Sequence, residues 1–410
     1  MGQRWRKILM GKNKNSFISW PEQFYTSGDF TEGKTTYILK HRNTDVAEFR
    51  TSIHSKDIRY FKLIDEKLSP VNIELSDKQK ALSFNGWIIN RCIPDARERD
   101  SVIRLFNEYK TLNLRKIMLT GYGLSLSDHY WIDRKPYNKK WEDINFYENK
   151  YSEVIGNILF DENHKLAGKR KYNSPDITTG GMLNKKWEYN KKENKSFLIK
   201  SGSRIFMQEP FNEYYAHLLL DDLKIKHTPY FIRKENKEWV SVCECISNNE
   251  IEMISAHDLV RKYGIERSYE GLIKFGEENN CIGLKDSLNE MIVIDYIIRN
   301  TDRHWNNFGI LRNGVSGDWI GLIPLYDNGY SLWNNDVVRN DSPTHSSSFK
   351  DTNEECLKYL NINDYVKKIP DMIGIFKIAF KDHENIERKK QLEEGVKSKQ
   401  KILEKQLIKE

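Results

Sequence analysis

Residues 291–329 (MIVIDYIIRNTDRHWNNFGILRNGVSGDWIGLIPLYDNG) constrain the fold of this chain more than any other stretch. Ile292, Val293, Ile294, Ile297 and Ile298 form an apolar run that has to be buried, and it ends abruptly in Asn300, Asp302, Arg303, His304, Asn306 and Asn307. An alternating segment then leads to Tyr326, Asp327, Asn328 and Gly329. Two carboxylates and a carboxamide therefore stand at the ends of hydrophobic elements, where a rigid scaffold can hold catalytic or metal-binding groups.

The rest of the chain has to supply that scaffold, and 410 residues suffice for two or three units of ordinary domain size. Lys and Arg are interspersed with Asp and Glu, so the net charge of +7 is diffuse. Such an excess does not by itself call for direct nucleic-acid binding; ATP satisfies it equally well. The five cysteines (Cys92, Cys243, Cys245, Cys281, Cys356) are odd in number. Cys243 and Cys245 have one residue between them, which is the wrong spacing for a redox pair, so reduced thiols and a cytoplasmic location are expected. No apolar run is long enough to cross a bilayer. Gly2 begins a myristoylation-like pattern, but position 6 is Arg rather than Ser or Thr.

Along the chain, residues 1–85 offer only short strand-like pieces such as 36–40 (TYILK) and an irregular stretch at 69–76. Val102, Leu105, Phe106, Tyr109 and Leu112 recur at helical spacing within 94–113. Residues 114–160 are full of aromatics in polar surroundings, read as packing anchors or a docking surface rather than base-stacking platforms, because no basic-aromatic stripe accompanies them. A glycine-containing loop at 173–182 precedes a strand at 196–200, a helix opening at Pro210, and a hairpin built from 230–232 and 239–246. Helices are expected at 255–263, 269–276 and 284–299, strands at 309–311 and 319–325, helical pieces over 353–385 broken near Pro370, and a final amphipathic helix. This organises the chain as an N-terminal region of undefined role (1–160), a nucleotide-binding small lobe (161–250), a helical catalytic lobe (251–385) and a C-terminal helix (386–410).

The candidate chemistry follows from what phosphoryl transfer needs: charge neutralisation, metal placement and a positioned acceptor. Lys200, on a strand after the glycine-containing loop, is suited to reach phosphates, and Glu213 on the following helix to pair with it. A solvent-exposed strand lysine and a solvated helix glutamate are the plain alternatives. Gly180 and Gly181 allow backbone amides to approach phosphate oxygens, although a lone Gly-Gly matches neither phosphate-loop pattern. Asp302 stands five residues before Asn307, the separation between catalytic aspartate and metal-binding asparagine in protein-kinase loops. Asp302 is the candidate catalytic base, while Asn307 and Asp327, the latter placed at the end of a strand over 323–326, are the candidate magnesium ligands. Capping and turn roles remain open for all three. His304 is assigned a structural role bracing the loop.

Taken together, SPDITTGGMLNKKW, SFLIK, QEPFNEYYA, IIRNTDRHWNNFGIL and PLYDNGYSLW resemble the HipA-like serine/threonine kinases. In that family the loop has the form N-x-D-R-H-x-x-N, met here by Asn300, Asp302, Arg303, His304 and Asn307. The resemblance, carried by residues 170–385, implies an α+β, two-lobed protein-kinase-like fold with a small mixed lobe and a larger helical lobe. It implies ATP and Mg2+ as cofactors, Lys200 as the phosphate lysine and adenine contacts from the backbone around Glu244, Cys245 and Ile246. A protein hydroxyl as acceptor, a small helix-turn-helix antitoxin-like partner and Ser174 as counterpart of an autophosphorylated serine belong to the same implication. A kinase acting on a small molecule, and a nucleotide-binding regulator without turnover, are the alternatives.

Overall fold

The computed structural model describes residues 35–51, 58–94, 97, 99–136, 138–161, 173–203, 205–358 and 360–407; the Gly2 pattern lies outside them. Strand β1 (Thr36–His41) buries Tyr37 to His41 without alternation, which requires cover on both faces. It sits inside a four-stranded antiparallel sheet with β2 (Thr44–Thr51), β3 (Ile58–Leu63) and β4 (Tyr130–Arg134), in the order β3-β2-β1-β4. Helix α1 (Asp77–Asn90) starts in a Ser76–Gln79 capping box and brings Phe84, Trp87 and Ile88 to a core shared with Tyr37 and Phe49 of the sheet. The sequence shows little of this helix, because Asn85 and Gly86 interrupt its apolar pattern.

A second layer is helical. Helices α2 (Arg99–Tyr109), α3 (Leu114–Thr120) and α5 (Val154–Phe160) enclose Val102, Leu105, Ile117, Ile155 and Leu159. The short α4 (Trp141–Ile144) contributes to a further cluster of Leu126, Trp131, Trp141, Phe146 and Trp187, against which Leu198 and Cys245 pack. The described aromatics of 114–160 are therefore packing anchors, and they join the N-terminal unit to the sheet that follows.

That second sheet is antiparallel in the order β5-β6-β8-β7, from β5 (Lys185–Asn190), β6 (Lys195–Ser201), β7 (Tyr230–Glu235) and β8 (Glu238–Glu244). Helix α6 (Glu209–Asp222), with Pro210 in its first turn, packs across it. The third sheet, β11-β10-β9, comprises β9 (Ile251–Ser255), β10 (Gly309–Asn313) and β11 (Trp319–Leu322). Strand β9 is unforeseen in the sequence because Glu252 interrupts it; Glu252 is fully buried, its carboxylate held by His41 and Arg312. Strand β11 stops at Leu322, so the strand expected over 323–326 is irregular chain with one bridge, Leu325 to His227.

Helices α7 (Ala256–Tyr263), α8 (Tyr269–Glu278), α9 (Leu284–Ile298), α10 (Asn353–Leu357), α11 (Ile362–Tyr365), α12 (Met372–Ala379) and α13 (Ile386–Leu407) complete the larger lobe. Helix α9 is its axis. Leu288, Met291, Val293 and Ile294 on it are fully buried, each contributing ~1.5–3 kcal/mol of hydrophobic stabilisation. It ends because Arg299 turns into the left-handed region at φ 55°, with its N–H on the Asp295 carbonyl. Leu392, Val396 and Leu403 of α13 are fully buried in the same core. Among the described residues, no helix is long and apolar enough to cross a membrane.

Candidate active site

The left-handed stop at Arg299 releases the chain into the 300–307 loop, whose shape is set by buried hydrogen bonds. Asn300 donates to the Asp295 carboxylate at 3.0 Å, and its own side-chain oxygen accepts the Asp302 N–H at 3.0 Å. Arg303 is 1% exposed and reaches Asp295 at 3.0 Å, the Asn307 carbonyl at 3.1 Å, the Asn328 side chain at 2.6 Å and the Tyr326 carbonyl. One guanidinium thus ties the loop to α9 and to the segment carrying Asp327. The bracing expected of His304 falls mainly to Arg303. His304 makes only a local brace, its Nδ1 accepting the Asn306 N–H at 3.2 Å, and its ring lines the cavity. The signal for Arg303 was a lone acid, Asp295, inside the apolar run MIVIDYII, since a buried carboxylate needs a cationic partner.

Lys200 lies on β6 opposite Lys185 and Ser241. Its Nζ is 2.7 Å from the Asp327 carboxylate, 3.3 Å from that of Glu213 and 3.4 Å from the Tyr230 hydroxyl. Glu213, 1% exposed, uses its other oxygen to accept the Asn328 N–H at 2.8 Å. Helix α6 reinforces this segment through Asn212, which donates to the carbonyls of Gly329 and Ser331. A Cβ at Gly329 would come within 3.3 Å of Glu209 Cβ, so glycine suits the close approach there. Asp327 itself adopts φ 57°, a backbone state that costs a non-glycine residue about 1–3 kcal/mol and persists only where surroundings enforce it.

These groups line one cavity of about 1340 Å³. Lys200, Glu213, Asp302, Asn307 and Asp327 face it, as do Gly180 and Gly181 of the glycine-containing loop and Glu244 and Ile246 at the end of β8. Cys245 is turned away: its N–H donates to the Ser196 carbonyl and its Sγ lies 3.5 Å from the Leu126 carbonyl. Asn307 donates through Nδ2 to the Asp302 carbonyl at 2.9 Å, which leaves its Oδ1 to serve a cation. Ser174 is fully buried, donates to Asp176 at 2.7 Å and caps the 3₁₀ turn Pro175–Thr178. In this arrangement its hydroxyl is covered and already engaged by Asp176.

The electrostatics divide the two aspartates. Burial alone would raise Asp327, but Lys200 and then Lys185 hold its carboxyl far below the usual range. Burial pushes Asp302 up, His304 pulls it back and Asp327 pushes it up again. Burial would also lower the Lys200 ammonium, yet Asp327, Tyr230 and Glu213 keep it well above its ordinary value. Glu213 is raised by burial against the opposing pull of Lys200. The site therefore holds an acid shifted toward its ionised form beside a lysine shifted toward its charged form, and a second acid with raised proton affinity across the same cavity.

Two cations escaped the sequence reading. Lys185 on β5 is 8% exposed and lines the cavity, its ammonium only 2.2 Å from where a Cβ on Gly181 would stand. Arg97, from the N-terminal unit, donates to the carbonyls of Thr179, Gly180 and Gly181. In sequence each is one basic residue among many.

No protein-family model matches the sequence, and no curated protein matches it significantly. The backbone does resemble solved structures. HipA from the Shewanella oneidensis MR-1 complex of HipA, HipB and operator DNA matches with a TM-score of 0.57 at 12% identity, over 91% of this chain and 100% of that one. The proinflammatory kinase CtkA of Helicobacter pylori matches with a TM-score of 0.43 at 17% identity, over 53% of this chain and 90% of that one. The likeness to HipA establishes the fold: mixed α and β, HipA kinase-like. Coverage of 91% also corrects the sequence-based limit of 170–385, because it cannot be reached without the N-terminal unit.

Proposed function

We propose that this chain, built on the HipA kinase-like fold, is an ATP- and magnesium-dependent phosphotransferase that passes the γ-phosphoryl group to a serine or threonine hydroxyl of a protein. The observation that carries the reading is the convergence of Lys200, Glu213, Asp302, Asn307 and Asp327 on one cavity, in the chain order that phosphoryl transfer uses.

Each residue has a role its surroundings support. Lys200, charged and oriented by Glu213, binds phosphate oxygens; Lys185 beneath Gly181 adds a second cation there. The backbone at Glu244 and Ile246 receives the adenine edge, since the Cys245 amide is already committed to Ser196. The Asn307 carboxamide oxygen and the ionised Asp327 carboxylate form an oxygen donor set that suits Mg2+, which binds few protein ligands and fills the rest with phosphates and water. Bound magnesium would neutralise charge on the transferred group. Asp302 faces the cavity with raised proton affinity, orients the acceptor hydroxyl and takes its proton as the new P–O bond forms and the γ-phosphate separates from the β-phosphate oxygen. Likeness to HipA, solved with HipB and operator DNA, supports extending the reading to a small antitoxin-like partner.

With labelled ATP, magnesium and a mixture of candidate protein substrates, the wild type should transfer label, and Asp302→Ala or Asp327→Ala should reduce it at least about a hundredfold. Equal labelling by all three proteins would remove Asp302 and Asp327 from the chemistry.

A further inference from the structure

The N-terminal unit enters the nucleotide site itself. Arg97 is 1% exposed and lies 82 to 84 residues before the loop it touches. Its Nε donates to the Gly181 carbonyl at 3.1 Å, and its Nη2 to the carbonyls of Gly180 at 2.9 Å and Thr179. Three consecutive carbonyls therefore point at one guanidinium. In a planar trans peptide the following N–H points the opposite way, so the amides of Gly180, Gly181 and Met182 face away from Arg97. Among the described residues none of these three amides donates to another group. The loop they belong to lines the cavity that holds Lys200 and Asp327.

Other contacts keep the loop in place. Thr178 donates through Oγ1 to the Leu124 carbonyl of the N-terminal unit, and Trp187 through Nε1 to Thr179 Oγ1 at 2.9 Å. Asp176 accepts the Trp187 N–H at 2.9 Å. Gly181, at φ +87°, makes the turn over Lys185. Successive amides presented on one side of a loop form an anion-binding concavity.

We propose that Arg97 is a positioning residue for nucleotide binding: by gathering the carbonyls of Thr179, Gly180 and Gly181, it turns the amides of 180–182 into the cavity as a ready-made site for the phosphates of a nucleoside triphosphate. The inference rests on the nucleotide reading above, and deepens it by giving the N-terminal unit a part in phosphate recognition.

The test compares a phosphate-bearing ligand with one that lacks phosphates, on the full-length chain. Arg97→Ala should weaken MgATP about tenfold, because the loop must then be ordered at the expense of binding, and leave adenosine within about twofold. Arg97→Lys keeps a buried cation but loses the fork that spans three carbonyls, and should fall between. Hydrogen exchange on the wild type needs no variant to fold: MgATP should slow the amides of 180–182 and adenosine should not. Parallel loss of MgATP and adenosine in a folded Arg97→Ala, or unchanged exchange at 180–182 on binding MgATP, overturns the role of Arg97, while MgATP binding by the wild type keeps the nucleotide reading standing. A wild-type chain that binds neither ligand overturns the nucleotide reading and this inference with it.

Discussion

Lys185 and Lys200 are register partners on β5 and β6, yet only Lys200 has acids within ion-pair reach among the described residues. Burial, followed by repulsion from Lys200, brings Lys185 down to about 7. Above that pH the residue is largely neutral, and below it charged. A triphosphate arriving beside it favours the charged form, so binding near pH 8 should draw a proton from solution and weaken as pH rises from 7 to 9. Titration calorimetry in buffers of different ionisation enthalpy should show this uptake in the wild type and not in Lys185→Met; buffer-independent heats in the wild type would contradict it. That Lys200, Glu213, Asp302, Asn307 and Asp327 line one cavity was legible, because their order and spacing match those that the proposed phosphoryl transfer would use. Lys185 and Arg97 were not, since their roles arise from what lies across a sheet or in another unit.

At the scale of elements, α9 and the loop after it are a single device. The helix is buried nearly all round, and Asp295 within it anchors Arg303, which ties the loop to the helix. The cost of burying two charges is offset only while both are present. Arg303→Met should therefore lower stability by about 3–5 kcal/mol in denaturant unfolding, and Asp295→Asn/Arg303→Met should cost less than the sum of the single changes. Strict additivity would mean that the pair does not couple. The apolar run made α9 readable, as the proline and the periodicity made α6, α12 and α13. Strand β9 was hidden by Glu252, whose burial depends on His41 and Arg312, distant in sequence. The missing strand over 323–326 has a local reason: the chain leaves β11 to bridge His227 before turning left-handed at Asp327.

For the molecule as a whole, the N-terminal unit is bound to the segment that links the two lobes. Tyr147 donates to Ser247, His129 bonds the Asn248 carbonyl at 2.8 Å, Trp141 donates to Asn249, and the Met253 N–H donates to the Ser127 carbonyl. These contacts fasten the N-terminal unit to the stretch between the second and third sheets and to β9. They were illegible in sequence because residues 35–160 carry no motif, only aromatics whose partners lie about a hundred residues away. The site proposed for the triphosphate is made by the loop at 180–182, Lys200, Asn307 and Asp327. A crystal structure of the full chain with magnesium and a non-hydrolysable ATP analogue decides whether that site exists. Lys200 Nζ should then lie on the phosphates, Asn307 Oδ1 and the Asp327 carboxylate on the metal, and adenine against the backbone of Glu244 and Ile246. An analogue seated elsewhere, with Lys200 still paired to Asp327 and no metal between Asn307 and Asp327, would contradict it.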